Sequence, residues 1–259
     1  MATRGAGKRA AVSSVLETGE IFFFYRPRVG TTEVDKLEDV QRFFVVMKPD
    51  RRRRFRRIVV GAKKLPDPRA HERVWAFVAE VADSPDELRD DLEATTYETR
   101  TRGIRVQPEA RPVGEGRYAI ADHDGHTHLV YVLELPPEPG PAQDAFNIRK
   151  DASYIVAVRN PEAPAPPGAG LDPRRRAAFP QELLDLFGGR RFIAVERPGL
   201  LDYEGAELVV IGAAEDAKGE LGIELDPEQE ALHDADIWRQ LRLRPGELPV
   251  EPLTGGELR

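Results

Sequence analysis

Cysteine is absent from the 259 residues, which excludes disulfides, thiolate nucleophiles and all-cysteine zinc sites. No apolar run approaches the roughly 18 residues that a membrane helix needs. Met1 to Arg9 is basic and small, with no apolar stretch behind it, so no secretory signal is expected and the cytoplasm is the expected location. A Gly-x-Ser-x-Gly elbow is missing. Gly114-Glu115-Gly116 has neither the strand-to-helix setting of a phosphate loop nor a lysine and hydroxyl behind it, and reads as a turn. The sequence therefore names no catalytic residues and leaves open whether the protein is an enzyme.

What is present points to strands. Glycine and proline number 22 each and are spread between apolar runs, which favours many short elements. Strands are expected at about 20–25, 40–47, 55–62, 75–81, 117–121, 127–135, 151–158, 191–196 and 206–212. Phe22, Phe23 and Phe24 are consecutive, so their strand carries large rings on both faces and needs a layer on each side. Ser84-Pro85-Asp86-Glu87 reads as a helix start, Pro180 to Phe187 as a short helix stopped by Gly188-Gly189, and Asp226 to Gln240 as a last helix.

An echo runs through the chain. Ile21 to Pro27 ends in Arg26-Pro27 and is followed by the strand at 40–47; Phe192 to Pro198 ends in Arg197-Pro198 and is followed by the strand at 206–212. The expected fold is mainly β, with α+β the alternative: packed antiparallel sheets from two related strand-pair units, with short peripheral helices. Residues 1–18 read as a flexible basic arm and 19–259 as one compact domain. The alternative is two β-rich halves, 19–160 and 170–245, joined by the proline-rich loop at 160–168.

The net charge is −7, and a uniformly acidic field repels nucleic acid, so nucleic acid is not an expected partner. The charge is segregated, however. Residues 48–64 hold nine basic side chains against one acidic, and 215–236 hold nine acidic against one lysine. Opposed patches suit a homo-oligomer or an acidic protein partner.

Three groups of residues carry candidate chemistry. Arg26 and Arg197 end apolar strands, where a planar fork clamps a carboxylate or phosphate; Asp202 and Glu204 are candidate ligand-binding or internal partners. Arg51, Arg52, Arg53, Arg54, Arg56 and Arg57 form a block dense enough for phosphates or an acidic partner, expected in an exposed turn. His123, His126 and His128 flank the Asp124-Gly125 turn, with His126 and His128 on one face, and form the candidate site for a divalent metal. No other cofactor is expected. The leading functional reading is a non-enzymatic binding or interaction protein; the alternatives are a metal-dependent enzyme using the histidines and a phosphate or nucleic-acid binder using the arginine block.

The strings Phe24-Tyr25-Arg26-Pro27, Asp39-Val40-Gln41-Arg42-Phe43 and Leu201-Asp202-Tyr203-Glu204-Gly205-Ala206-Glu207-Leu208 resemble those of an uncharacterised family of predicted bacterial proteins. The resemblance spans most of the chain and implies no activity, cofactor or partner.

Overall fold

The computed structural model describes residues 13–101, 103–165, 170–216, 221–225, 227, 232–233, 235–244, 246–254 and 256–258. The expected arm at 1–18 falls outside the described residues up to residue 12, and from Ser14 the chain is already strand. Part of the proline-rich loop and much of the acidic segment also lie outside them.

Apolar runs, some of them alternating with polar side chains, form eight strands that close on themselves. They are β1 (Ser14–Pro27), β2 (Val40–Pro49), β3 (Phe55–Val60), β4 (Arg73–Ala82), β7 (Arg111–His123), β8 (His126–Leu135), β9 (Asp151–Arg159) and β11 (Glu207–Ala214). A side hairpin supplies β5 (Thr95–Thr99) and β6 (Gly103–Gln107), and a short strand β10 is Phe192–Ala194. The barrel runs β1-β2-β3-β4-β11-β9-β8-β7 and back to β1, with every pair antiparallel. Closure satisfies the backbone donors and acceptors that an open sheet leaves at its edges.

The chain is mainly β with a few short helices, as expected; the barrel strands form one closed antiparallel sheet, and β5–β6 is a separate two-stranded one. The second strand pair is not a pair: β10 and β11 both bond to β9 rather than to each other, whereas β1 bonds directly to β2. β11, from the stretch 170–245, pairs with β9 and β4 of the stretch 19–160. The loop after β9 is tied down. Arg159 pairs with Glu207 and donates to the Ala163 carbonyl, and Glu207 accepts from the Leu171 amide at 2.7 Å.

The three phenylalanines explain the layers. Phe23 points into the barrel, 5.0 Å edge-on to Tyr131. Tyr25 and Phe43 stack on Phe146, which follows helix α1 (Pro141–Ala145) and covers the barrel end where β1 finishes. Phe22 and Phe24 point outward, and Phe24 stacks on Phe44 at 5.4 Å. That outer face is covered by Leu88, Leu92 and the C-terminal segment, including Ile237, Trp238 and Leu241. Gly19 sits where β1 is squeezed between β2 and β7; a Cβ there would lie 2.2 Å from the Lys48 carbonyl oxygen.

The helices are shorter than the sequence suggests. Ser84 does cap the following turn, accepting from the Asp86 amide, but Pro85–Asp91 is a tight 3₁₀ helix. Helix α2 (Gln181–Leu184) continues as a 3₁₀ turn to Phe187 and stops at Gly188, whose φ is +51°. Much of the expected helix over 226–240 lies outside the described residues; among them, helix α3 is Asp236–Gln240, preceded by Ala235 in a non-helical conformation. Ala235 offers no capping side chain. The buried Glu115 of β7 accepts from the Asp236 and Ile237 amides at 3.0 and 2.8 Å and caps α3 from across the fold. The hairpin β5–β6 carries exposed Ile104 and Tyr97 away from the core. No helix among the described residues is long and apolar enough to cross a membrane.

Candidate functional site

The arginine block splits by the pleat of β3. Arg51, Arg52 and Arg53 are exposed in the β2–β3 turn, as expected, and Arg54 reaches Asp83 at 3.3 Å. Arg56 and Arg57 are not in an exposed turn. They lie on β3, where successive side chains take opposite faces. Arg56 shares the inward side with Ile58 and Val60 and is 0% exposed. Its guanidinium donates to Glu17 at 2.5 and 3.1 Å and to Asp202 at 2.7 Å. Glu17 also accepts from the Tyr118 hydroxyl at 2.8 Å. Burial and the Glu17 charge together push the Tyr118 hydroxyl well above its ordinary range. Arg57 faces out, over the Phe44 ring at 5.7 Å, and pairs with Glu80 and Asp91.

The other candidates disperse. Arg26 is buried and donates to the carbonyls of Asp91 and Glu93, so it anchors the segment after β4. Asp202 accepts from Arg52 and Arg56, which ties the turn Pro198–Asp202 to the barrel. Glu204 is exposed and accepts from the Val81 amide at 3.2 Å. Only Arg197 stays exposed without a side-chain partner among the described residues, at the rim of a slot beside β10.

The histidines sit on the β7–β8 hairpin. Its turn has φ of +50° at Asp124 and +78° at Gly125, the mirror-image geometry expected of Asp-Gly. His123 and His128 lie edge to face with ring centres 6.0 Å apart. His123 Nδ1 bonds to Ser13 Oγ at 3.0 Å, and His128 Nδ1 to Ser153 Oγ at 3.2 Å. His126 is exposed and lines the same slot as Arg197. The expected three-imidazole centre is not assembled: among the described residues no group of three His, Asp or Glu side chains is placed to hold a metal ion.

The structure instead builds a basic groove of about 480 Å³ that the sequence showed only in part. Lys48 and the turn arginines Arg51, Arg52 and Arg53 line one side; Arg239 and Arg242, from α3 and the residues after it, line the other. Phe55 and Pro85 also line it. Several charges are already engaged: Arg52 by Asp202, Arg242 by Asp86 and Arg239 by Asp236. Arg51 and Arg53 carry no ion pair among the described residues. Asp50 bonds to Thr18 at 2.7 Å and to Arg117 at 2.6 Å, so it secures the turn.

Beneath this groove Glu20 of β1 meets Lys48 at 3.5 Å and the Gln240 amide at 3.0 Å. Burial, and then the Asp236 charge, push its carboxyl up to about 7, against the pull of Lys48 and Arg117. The native state therefore keeps a proton that the unfolded chain, with its ordinary value of 4.5, has already released. Stability falls as pH rises from 4.5 through about 7 and levels off above. Glu20→Gln removes that titration. Urea midpoints are expected to show the variant gaining on the native protein from about pH 5 to about pH 8; a constant difference across that range is the opposing result.

Comparison with protein-family models, with curated proteins and with solved structures returned no match, and the functional reading rests on this geometry.

Proposed function

We propose that the protein is a non-enzymatic binding protein whose groove between the β2–β3 turn and α3 receives an acidic segment of a protein partner. The observation that carries this reading is the convergence of Arg51 and Arg53, unengaged by carboxylates among the described residues, with Arg239 and Arg242 from the C-terminal segment. Planar guanidinium forks suit carboxylates, because each can form two parallel hydrogen bonds. The buried ionisable residues add support. Arg56, Arg159 and Glu115 hold segments onto the barrel, and none lines the groove.

Fluorescence anisotropy with a labelled poly-glutamate peptide tests the reading. Binding should weaken steeply as salt rises, since the contacts are exposed. The double substitution Arg51→Ala and Arg53→Ala should cost about tenfold in affinity, each surface contact contributing up to about 1 kcal/mol. Unchanged affinity in the double variant, or tighter binding of duplex DNA than of the peptide, overturns the proposal.

A further inference from the structure

One edge of β9 is shared by two strands. β8 pairs with β9 as far as Thr127 opposite Val156, and β10 takes over the same edge with Ala194 opposite Ala157. Between the end of one neighbour and the start of the next lies a slot of about 410 Å³. It is lined from both faces of the wall. Thr127, Val156 and Ile193 share the inward side with the core, whereas His126, Ile155 and Phe192 lie on the outward side. Its lining therefore includes residues from both sides of the sheet.

Thr127 is 0% exposed, and its hydroxyl has no hydrogen-bond partner among the described residues. A buried hydroxyl without a partner is costly, and such groups are rare in folded proteins. It lines the slot. On the rim, Arg197 is exposed and unengaged among the described residues. Arg190 is held in place, donating to the carbonyls of Phe187 and Leu186 at 3.2 and 2.9 Å. Glu196 and His126 are the other titratable groups there. The two guanidinium groups outweigh the one carboxylate.

The inner end is apolar. Val156 lines both the slot and an inner cavity of about 50 Å³ whose walls include Val195, Leu201 and Ile58. Leu200 lines the slot and Leu201 the cavity, so one turn of chain supplies part of the partition.

We infer that this slot binds a short- to medium-chain monocarboxylate, its carboxylate between Arg197 and the Thr127 hydroxyl and its hydrocarbon tail over Val156 toward the barrel interior. A polar mouth with positive charge, an orphan donor and an apolar end matches that ligand class and no purely polar anion. This site is separate from the basic groove, and its test does not depend on the groove.

Calorimetric titration of the full chain with butanoate, hexanoate, octanoate and decanoate decides it. Affinity should rise about fourfold for each added methylene until the slot is filled, the gain expected from burying a methylene. Hexanol should bind about tenfold or more weaker than hexanoate, and Arg197→Gln should erase that gap by weakening only the acid. Thr127→Val should weaken hexanoate binding while raising the thermal midpoint, because it removes the unpartnered hydroxyl without changing shape. The midpoint thus shows that the variant folds. Backbone amide shifts on titration should centre on Thr127, Ala157 and Ala194. Absence of binding across the series, affinity independent of chain length, equal affinity for acid and alcohol, or shifts centred elsewhere overturns the inference.

Discussion

Arg56→Met should lower the unfolding free energy by about 3–5 kcal/mol, the cost typical of removing one partner from a buried ion pair. The guanidinium is 0% exposed, so it has left water entirely. Burial works against its charge, but Glu17 and Asp202 more than offset that, and its pKa rises above the ordinary value. Methionine fills a similar volume and leaves Glu17 beside the Tyr118 hydroxyl without its cation. It also releases Asp202, which keeps only the exposed Arg52. The loss should therefore appear both as a lower denaturant midpoint and as faster amide exchange in the turn Pro198–Asp202. A change below about 1 kcal/mol would mean that the cluster is solvated and adds no more than a surface pair. Doubling the change with Glu17→Gln gives a second check. In the Arg56→Met background that substitution should recover stability, because it removes the stranded carboxylate.

Phe23→Ala and Phe24→Ala should each cost about 3–5 kcal/mol, although the two side chains point in opposite directions. In a sheet with one wet face, one of the two would be nearly neutral. Here Phe23 packs against Tyr131 and Phe43 inside the barrel, and Phe24 against Phe44 under the C-terminal segment. Both rings are fully buried. Denaturant titration of the two variants compares the inner and outer layers directly. A near-neutral Phe24→Ala would show that the C-terminal cover contributes little. Comparable losses would establish that the barrel and its outer layer fold as one unit.

The sequence was a good guide to the strands. Their positions follow from alternation and from proline and glycine at the ends, which are local properties. The double burial of Phe22, Phe23 and Phe24 was legible for the same reason, and so was the Asp-Gly turn. The hairpin β5–β6 was missed because its apolar side chains, Tyr97, Ile104 and Val106, are few and stay exposed. The echo between the two Arg-Pro segments was misleading. Similar strings do not set which strand pairs with which, and β10 and β11 flank β9 instead of each other.

The sites were less legible. Parity along β3 places Arg56 with Ile58 and Val60, so the alternation already carried the signal that Arg56 is not a turn residue. What it lacked was the partner, since Glu17 and Asp202 come from distant parts of the chain. Arg239 and Arg242 were not tied to Arg51 and Arg53 for the same reason. Thr127 gave no signal at all. A threonine near a turn is ordinary until β8 ends short of the length of β9 and leaves it facing a gap.

Composition and pattern by themselves determined that this chain is rich in strands, that one of them is covered on both sides, and that thiol chemistry is excluded. Those are consequences of single residues and their nearest neighbours. Tertiary structure alone decided that the strands close into a barrel, which arginines face inward, and which residues meet at the slot beside β10. Each of these depends on contacts between residues far apart in the chain, whose free energy is realised only after the segments have met.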